Sequence, residues 1–259
     1  MISARPIDGT TPNSVSSPPH TMRTRPRAFT TTELLVVLAL LAVLFLLVIP
    51  AINTRRENRN RAVCANNLRA IGVALFAYAQ DHNQHLPTLE QNRGPQGEPV
   101  DWTRALLPRY LAAPSLLHCP SDKMKRSCDG PPCSYGISGG GGGLEGVFWI
   151  HGARLDCPYL TNRSEIVLAT EGWNGGTRGP SCVGDARGFC VFEPNELWPR
   201  IASFHSHVYL DIRQTYSRTT HYLFLDGRVE WIENPTVERL VRMFPPQPAG
   251  SSPSHQPCP

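Results

Sequence analysis

The hydrophobic pattern begins with one unbroken apolar run, Leu34 to Ile49, behind a stretch rich in Pro, Ser and Thr. A helix from Phe29 to Ile49 would be about 31 Å long at 1.5 Å per residue, close to the roughly 30 Å hydrocarbon core of a bilayer. The pattern therefore predicts a helix that can span a membrane. Arginines on both sides of the run leave its orientation undecided by charge.

A second, amphipathic pattern follows the apolar run. Its apolar members recur at steps of three and four and so lie on one helical face: Cys64, Leu68, Ile71, Leu75 and Tyr78. We expect this stripe to pack on a globular domain. Pro87 ends the helix at the latest, and residues 90–99 have the composition of a loop.

Strand patterns come later in the chain. The segment YLFLDGRVEWI, residues 222–232, has two short apolar runs around Asp226-Gly227 and predicts a hairpin with a type I′ turn. RSEIVLATE at 163–171 and GVFWI at 146–150 predict two further strand regions. The expected whole is α+β, with a helix laid on a small antiparallel sheet.

Composition limits the partners. The chain has 259 residues, of which 41% are hydrophobic, while 25 Pro and 21 Gly indicate many loops. Its net charge of +4 comes mostly from arginines beside the apolar run, without a basic stripe interleaved with aromatic residues. We expect one modest domain on an anchor, and no nucleic-acid partner.

All eight cysteines lie beyond the apolar run, which suits disulfide bonds in an oxidising compartment. No pair has C-x-x-C spacing, so disulfides are favoured over a structural metal and no metal ligands are predicted. Two pairs bracket short Gly and Pro segments and could close local loops, and a third could join helix to domain. These pairs are Cys128 with Cys133, Cys182 with Cys190, and Cys64 with Cys119.

Glu33 is an acid at the edge of the apolar run, where a plain anchor gives it no purpose. A charge inside a membrane helix costs on the order of 2.5–3.5 kcal/mol at the centre and is usually retained because something pairs with it. If the chain is cut between Ala28 and Phe29, the new amino group lies one helical turn from Glu33. A secretory signal cut after Ala51 and an uncleaved anchor are the competing interpretations.

The opening segment resembles the cleavage and methylation segment of type IV prepilins and type II secretion pseudopilins. The resemblance rests on a basic leader, a small residue at Ala28, Phe29, an acid at the fifth mature position, a long apolar helix, and Pro50 as the twenty-second residue after the cut. It implies that a prepilin peptidase removes residues 1–28 and methylates Phe29. Glu33 would then guide the registration of subunits during assembly.

The same resemblance implies a domain order and a location. After the leader come the membrane half of a pilin helix at 29–50, an amphipathic half at 51–86, and a β-rich domain at 87–259 with a disordered tail from about 245. The protein would cross the inner membrane once, with its domain periplasmic or extracellular. Its partners would be prepilin peptidase, other pilin or pseudopilin subunits, the inner-membrane platform of a secretion system, and the lipid bilayer.

Later segments resemble pseudopilin-like proteins abundant in some bacterial phyla. These are CANNLRAIGVALFAYAQDHNQHLP at 64–87, HCPSD at 118–122, SYG at 134–136, and the strand YLFLDGRVEWI. Relatives often have His where this chain has Tyr216, and Asn where it has His221. Some major pseudopilins bind Ca²⁺, for which Asp211 or Asp226 would be the candidates, but six oxygen ligands cannot be assembled here and no cofactor is expected.

Other polar groups give weaker signals. Asp81, His82 and His85 lack a catalytic glutamate in H-E-x-x-H spacing and are expected at a solvated helix end. His205 and His207 are expected on the surface, and Glu171 belongs to no recognisable acid and base pair.

The chain is therefore not expected to be an enzyme. A membrane-anchored extracytoplasmic binding or hydrolytic domain, using the prepilin segment for delivery alone, is the alternative function.

Overall fold

One helix contains both helical patterns of the sequence. In the computed structural model, helix α1 runs Thr31–Asp81, with Pro50 inside it, and the chain divides into two compact units, Met1–Pro50 and Ala51–Pro259. The structure describes residues 30–88, 92–93, 99–124, 130–138, 150, 152–172, 204–205 and 219–243.

In the first unit the apolar side chains are exposed. Leu40, Leu46 and Leu47 are 65%, 73% and 68% exposed, and the neighbouring large apolar side chains are similarly open. By length and composition this part of α1 could be a membrane anchor or a signal sequence.

In the second unit α1 provides one side of the core. The predicted stripe from Cys64 to Tyr78 is confirmed, since all five of its residues are buried. A Cβ atom added at Gly72 would lie 3.1 Å from both methyl carbons of Leu223, so helix and sheet approach closely there. The helix ends before Pro87 because Asn83 and Gln84 adopt positive φ, and the Gln84 amide donates to the Ala79 carbonyl at 2.7 Å.

The other side of this core is a four-stranded antiparallel sheet. Its strands lie in chain order, β3 (Tyr135–Ile137), β4 (Val167–Glu171), β5 (Thr220–Phe224) and β6 (Val229–Ile232). Strand β4 confirms the strand region predicted at 163–171, and every residue of β3, β4 and β5 is buried. The arrangement is α+β and pilin-like, as predicted. Residues 146–149 of the predicted GVFWI strand lie outside the described residues.

Short elements complete the described part of the chain. A two-stranded ladder pairs β1 (Asn92–Arg93) with β2 (Pro99–Val100), and helix α2 (Trp102–Leu106) follows directly. Asp101 caps α2 by accepting hydrogen bonds from the amides of Thr103 and Arg104 at 3.1 and 3.0 Å. A 3₁₀ turn (Pro114–Leu117) and helix α3 (Val237–Arg242) are the remaining elements.

The hairpin is present, but the predicted type I′ turn is wrong. That turn needs positive φ at both central residues, whereas Gly227 has φ +89 and Asp226 is not among the positive-φ residues. The loop has three residues, since the Phe224 amide donates to the Arg228 carbonyl at 2.8 Å and the Gly227 amide to the Phe224 carbonyl at 2.9 Å. Leu225 is drawn into the loop because its amide donates to the Ile166 carbonyl and its side chain is buried.

Candidate functional site

A cluster of polar side chains, buried except for the half-buried Glu57, lies between α1 and the sheet in the second unit. Glu171 ends β4, His221 lies on the neighbouring strand β5, and Glu57 comes from α1. His205 belongs to a short described segment and has no exposed side-chain surface. Four distant parts of the chain thus supply two acids and two histidines to one place.

Glu171 is the centre of the cluster and is fully buried. Its Oε1 atom lies 2.9 Å from Nδ1 of His221 and 3.3 Å from Nε2 of His205. Burial by itself would raise the pKa of Glu171, but the hydrogen bonds from the two histidines outweigh burial and lower it. The carboxylate is therefore ionised, while its Oε2 atom is buried without a hydrogen-bond partner among the described residues.

His205 lies between two carboxylates. Its Nδ1 atom is 2.5 Å from Oε1 of Glu57, and Ser121 donates to the other oxygen of Glu57 at 3.0 Å. Burial favours a lower pKa for His205, but the pairing with Glu171 and Glu57 raises the pKa above its ordinary value. The interaction ties α1 to the segment that carries His205.

A disulfide bond adjoins the cluster. The structure joins Cys64 of α1 to Cys119, the pair that the sequence analysis proposed between helix and domain, with Cα atoms 5.4 Å apart. The Cys119 sulfur is 3.4 Å from Nε2 of His205. The sulfurs of both cysteines, the Glu171 carboxylate and a nitrogen of His205 lie within 4.8 Å of one another. Thiolate, imidazole and carboxylate are all zinc ligands.

Trp231 covers the histidines from β6. Its ring centroid is 4.8 Å from that of His221 and 5.9 Å from that of His205, both in edge arrangements. The guanidinium carbon of Arg61 lies 4.4 Å from the centre of the Trp231 ring, and Arg61 also donates to the His205 carbonyl at 3.4 Å. The aromatic ring and the guanidinium therefore separate the cluster from solvent on this side.

Two of these residues differ from what the sequence predicted. His205 was expected on the surface but is fully buried, and Glu171 was given no acid or base partner but contacts two histidines. Each of the two strands contained one sequence signal for a buried polar site. VLATE contains a Glu and THYLF contains a His, although both segments are otherwise suited to complete burial. His207, Asp211 and Tyr216 lie outside the described residues.

The remaining cysteine predictions have mixed outcomes. Cys182 and Cys190 lie outside the described residues, so their proposed pairing stays a prediction. Cys128 also lies outside them, but the proposed Cys128–Cys133 disulfide is wrong, because Cys133 keeps its thiol. Cys133 is buried, and its thiol donates to the Tyr135 carbonyl at 3.3 Å. Cys157, which was in none of the proposed pairs, is disulfide-bonded.

Glu33 has a local partner at the start of α1. The Thr30 amide donates to the Glu33 carboxylate at 2.9 Å, and the Glu33 amide donates to the Thr30 hydroxyl at 3.2 Å. This reciprocal pair is a capping box, a signature of helix N-termini that the sequence TTTE carried. Ala28 and Phe29 precede the described residues.

Two weaker candidate sites, at Asp81–His82 and at Asp226, have structural roles. Asp81 accepts from Arg109 at 2.7 Å and from the Tyr110 hydroxyl at 2.9 Å, while His82 stacks on Tyr78. Asp226 accepts from the Arg228 amide at 2.9 Å within the hairpin loop. Each polar group thus stabilises the end of an element.

A known family profile matches part of the chain. The family is described as a protein of unknown function (DUF1559), and its profile matches residues 54–113. The match includes Glu57 and Cys64 and ends before Cys119. No curated protein and no solved structure matches the chain significantly. The matched region therefore contains the domain half of α1 and helix α2, and the match assigns no activity to them.

Proposed function

We propose that the chain is a prepilin-like structural subunit, of the pseudopilin kind, that is cleaved after Ala28, methylated at Phe29 and assembled through α1 into a type II secretion or pilus-like fibre. The observation that carries this proposal is the division of α1 into two halves of opposite exposure. Its first half exposes apolar side chains, while the stripe from Cys64 to Tyr78 is buried in the domain.

The exposed half of α1 must be shielded from water. Its large apolar side chains, from Leu34 to Ile52, are between 38% and 73% exposed. Covering one Leu, Val, Ile or Phe side chain is worth about 1.5–3 kcal/mol, so a run of this length is unstable in water. Lipid covers it before assembly, and the same helices of neighbouring subunits cover it in a fibre.

Glu33 then has two separable tasks. Its carboxylate caps α1 through Thr30, which gives the acid a hydrogen-bond partner even in an apolar setting. In the fibre the negative charge would pair with the methylated amino group of Phe29 on a neighbouring subunit. A Gln can also serve in a capping box but carries no charge, so the two tasks can be tested apart.

The disulfide bonds support a domain outside the cytoplasm. Cys64 is bonded to Cys119, and Cys157 is also disulfide-bonded, a pattern common where the environment is oxidising. We place the protein in the inner membrane as a single-pass subunit with a periplasmic or extracellular domain. Its partners are prepilin peptidase, other subunits and the secretion platform, and its role is structural instead of enzymatic.

Processing is the first test. The full chain is co-expressed with a prepilin peptidase, and the N-terminus is determined by mass spectrometry. The expected product starts at Phe29 and carries one methyl group, while Ala28→Leu, which enlarges the residue before the cut, remains unprocessed. An intact Met1 or a start beyond Ala51 in the wild-type chain contradicts the proposal.

Assembly is the second test. Glu33→Gln keeps the capping geometry and removes the charge, whereas Thr30→Ala weakens the cap and keeps the charge. Fibres sheared from cells are measured by sedimentation and electron microscopy after processing has been verified for each variant. We expect Glu33→Gln to abolish fibres and Thr30→Ala to retain them. A membrane-anchored binding or hydrolytic domain would form no Glu33-dependent fibre.

A further inference from the structure

Four buried side chains, the two cysteines of the disulfide and two residues beside it, form a set of potential metal ligands. Cys64, Cys119, Glu171 and His205 come from separate parts of the chain and are all buried. Their ligand atoms lie within 4.8 Å of one another. Because the two cysteines are 55 positions apart, no short sequence motif indicates these ligands.

Two of the distances already suit a tetrahedral zinc site. Zinc bonds of about 2.0–2.3 Å place a nitrogen and an oxygen ligand about 3.3 Å apart, and a sulfur and a nitrogen ligand about 3.5 Å apart. The structure has His205 Nε2 3.3 Å from Glu171 Oε1 and 3.4 Å from the Cys119 sulfur. The two sulfurs are the atoms that must separate, to about 3.8 Å, before an ion fits between the four ligands.

The surroundings of His205 resemble those of a metal-bound histidine. A histidine that binds a metal through one ring nitrogen usually donates its other N–H to a carboxylate or carbonyl, which fixes the ring. Here Nε2 faces the sulfur and Glu171, while Nδ1 is held by Glu57 at 2.5 Å. Ser121 in turn holds Glu57 at 3.0 Å.

Glu171 adds a separate indication. Within the part of the chain that the structure describes, its Oε2 atom is buried without a hydrogen-bond partner, although such a carboxylate oxygen normally has one. His221 fixes the same carboxylate through Oε1 at 2.9 Å. A cation bound by the Glu171 carboxylate would also provide a partner for Oε2.

We propose that reduction of the Cys64–Cys119 disulfide turns this cluster into a zinc site with Cys64, Cys119, His205 and Glu171 as ligands. Two molecules of a small thiol reduce the disulfide, giving two cysteine thiols and one disulfide of the small thiol. As Zn²⁺ binds, the two cysteines each lose a proton, Nε2 of His205 releases the proton that it donates to Glu171, and zinc itself undergoes no redox change. Glu57, Ser121 and His221 position the ligands without binding the ion.

The disulfide and the ion are then alternative cross-links between the same elements. Either one joins α1 at Cys64 to the segment at Cys119, and the ion also attaches β4 through Glu171. The reduced domain would keep α1 in place when zinc is present and loosen its hold when zinc is removed. This role is independent of the assembly proposed for the N-terminal half of α1.

Thiol protection in the unaltered protein locates the site. The full chain in detergent is reduced with excess small thiol, which is removed under inert gas, and is then alkylated with or without equimolar Zn²⁺. Peptide mass spectrometry reports each cysteine separately. We expect zinc to slow alkylation of Cys64 and Cys119 at least tenfold, with little effect on Cys133. Equal alkylation rates at Cys64 and Cys119 with and without zinc would overturn the proposal.

Cobalt substitution identifies the other ligands. Co²⁺ added to the reduced chain should give the intense thiolate-to-cobalt absorption and visible bands of a tetrahedral site, and untreated, oxidised chain should not. His205→Ala should change this spectrum and weaken zinc binding at least tenfold, whereas His82→Ala, in an exposed histidine, should not. Circular dichroism verifies that both variants fold. If His205→Ala does not fold, Glu171→Gln takes its place as the ligand variant in the same measurement. An unchanged spectrum in every folded ligand variant would place the metal elsewhere.

Discussion

The Glu57 carboxylate and the His205 ring, 148 positions apart in the chain, lie 2.5 Å from each other. Glu57 is on α1, and His205 faces the end of β4 through Glu171. The two side chains therefore connect the helix to the sheet through one imidazole. This connection makes the stability of the second unit depend on pH.

Stability should decrease as the pH rises past the ordinary pKa of histidine. The pKa of His205 is raised in the folded protein, so its contribution is complete below about pH 6.5 and is lost as the pH rises through the higher folded value. The pKa of Glu171 is lowered, so its contribution is present above its ordinary value and is lost only as the pH falls through the folded one. Urea unfolding of the oxidised chain, with a chelator present, measures both effects.

A variant assigns this pH dependence to the cluster. His205→Asn should flatten the decline in unfolding free energy above about pH 6.5, and His82→Ala should leave it as in the wild type. If the decline is as steep in folded His205→Asn, other groups cause it.

The Cys64–Cys119 bond should stabilise the domain by about 2–4 kcal/mol, because it restricts the unfolded chain across a separation of 55 residues. The double variant Cys64→Ser, Cys119→Ser should unfold at a correspondingly lower urea concentration than the oxidised wild type. Cys133→Ser is the control for introducing a hydroxyl at a buried cysteine. Identical unfolding of the double variant and the wild type would count against a stabilising cross-link.

The approach of Gly72 to Leu223 should reject larger side chains. A Cβ at Gly72 would already be 3.1 Å from the Leu223 methyl groups, so Gly72→Leu should lower the free energy of unfolding by about 1–3 kcal/mol. Combining it with Leu223→Ala should recover part of the loss, since the second change makes room. Additive losses in this double-mutant cycle would mean that the two positions do not interact.

The hairpin should require Gly227. Its φ of +89 disfavours a Cβ atom, while the nearest atom to an added Cβ, on Phe76, is at an ordinary 3.8 Å. Gly227→Ala should therefore cost about 1–2 kcal/mol through backbone strain alone. Gly227→Asn should cost less, because Asn tolerates this conformation better, and thermal unfolding of both variants measures the difference. Equal stability of Gly227→Ala and wild type would contradict a strained turn.

The parts of the fold that the sequence predicted are those that depend on local hydrophobic patterns. The stripe from Cys64 to Tyr78, the strand at β4 and the hairpin around Asp226 each depend on residues a few positions apart, whose spacing is visible in the sequence. The turn type was wrong because the Leu225 amide donates to the carbonyl of Ile166, the residue before β4, a contact that the hairpin's own residues do not reveal. The residues of the capping box are present in TTTE, although Glu33 was predicted to act in assembly alone.

The sequence by itself determined an apolar helix, an amphipathic continuation, a small antiparallel sheet and a cysteine pair suited to join them. Hydrophobic periodicity dictates these features because burial depends on which face of an element each side chain occupies. Tertiary structure alone decided that Glu57, Glu171, His205 and His221 meet beside the disulfide. Polar groups far apart in the chain pair when folding removes them from water, because buried charge is stable only with a partner, and that partner is set by the path of the chain.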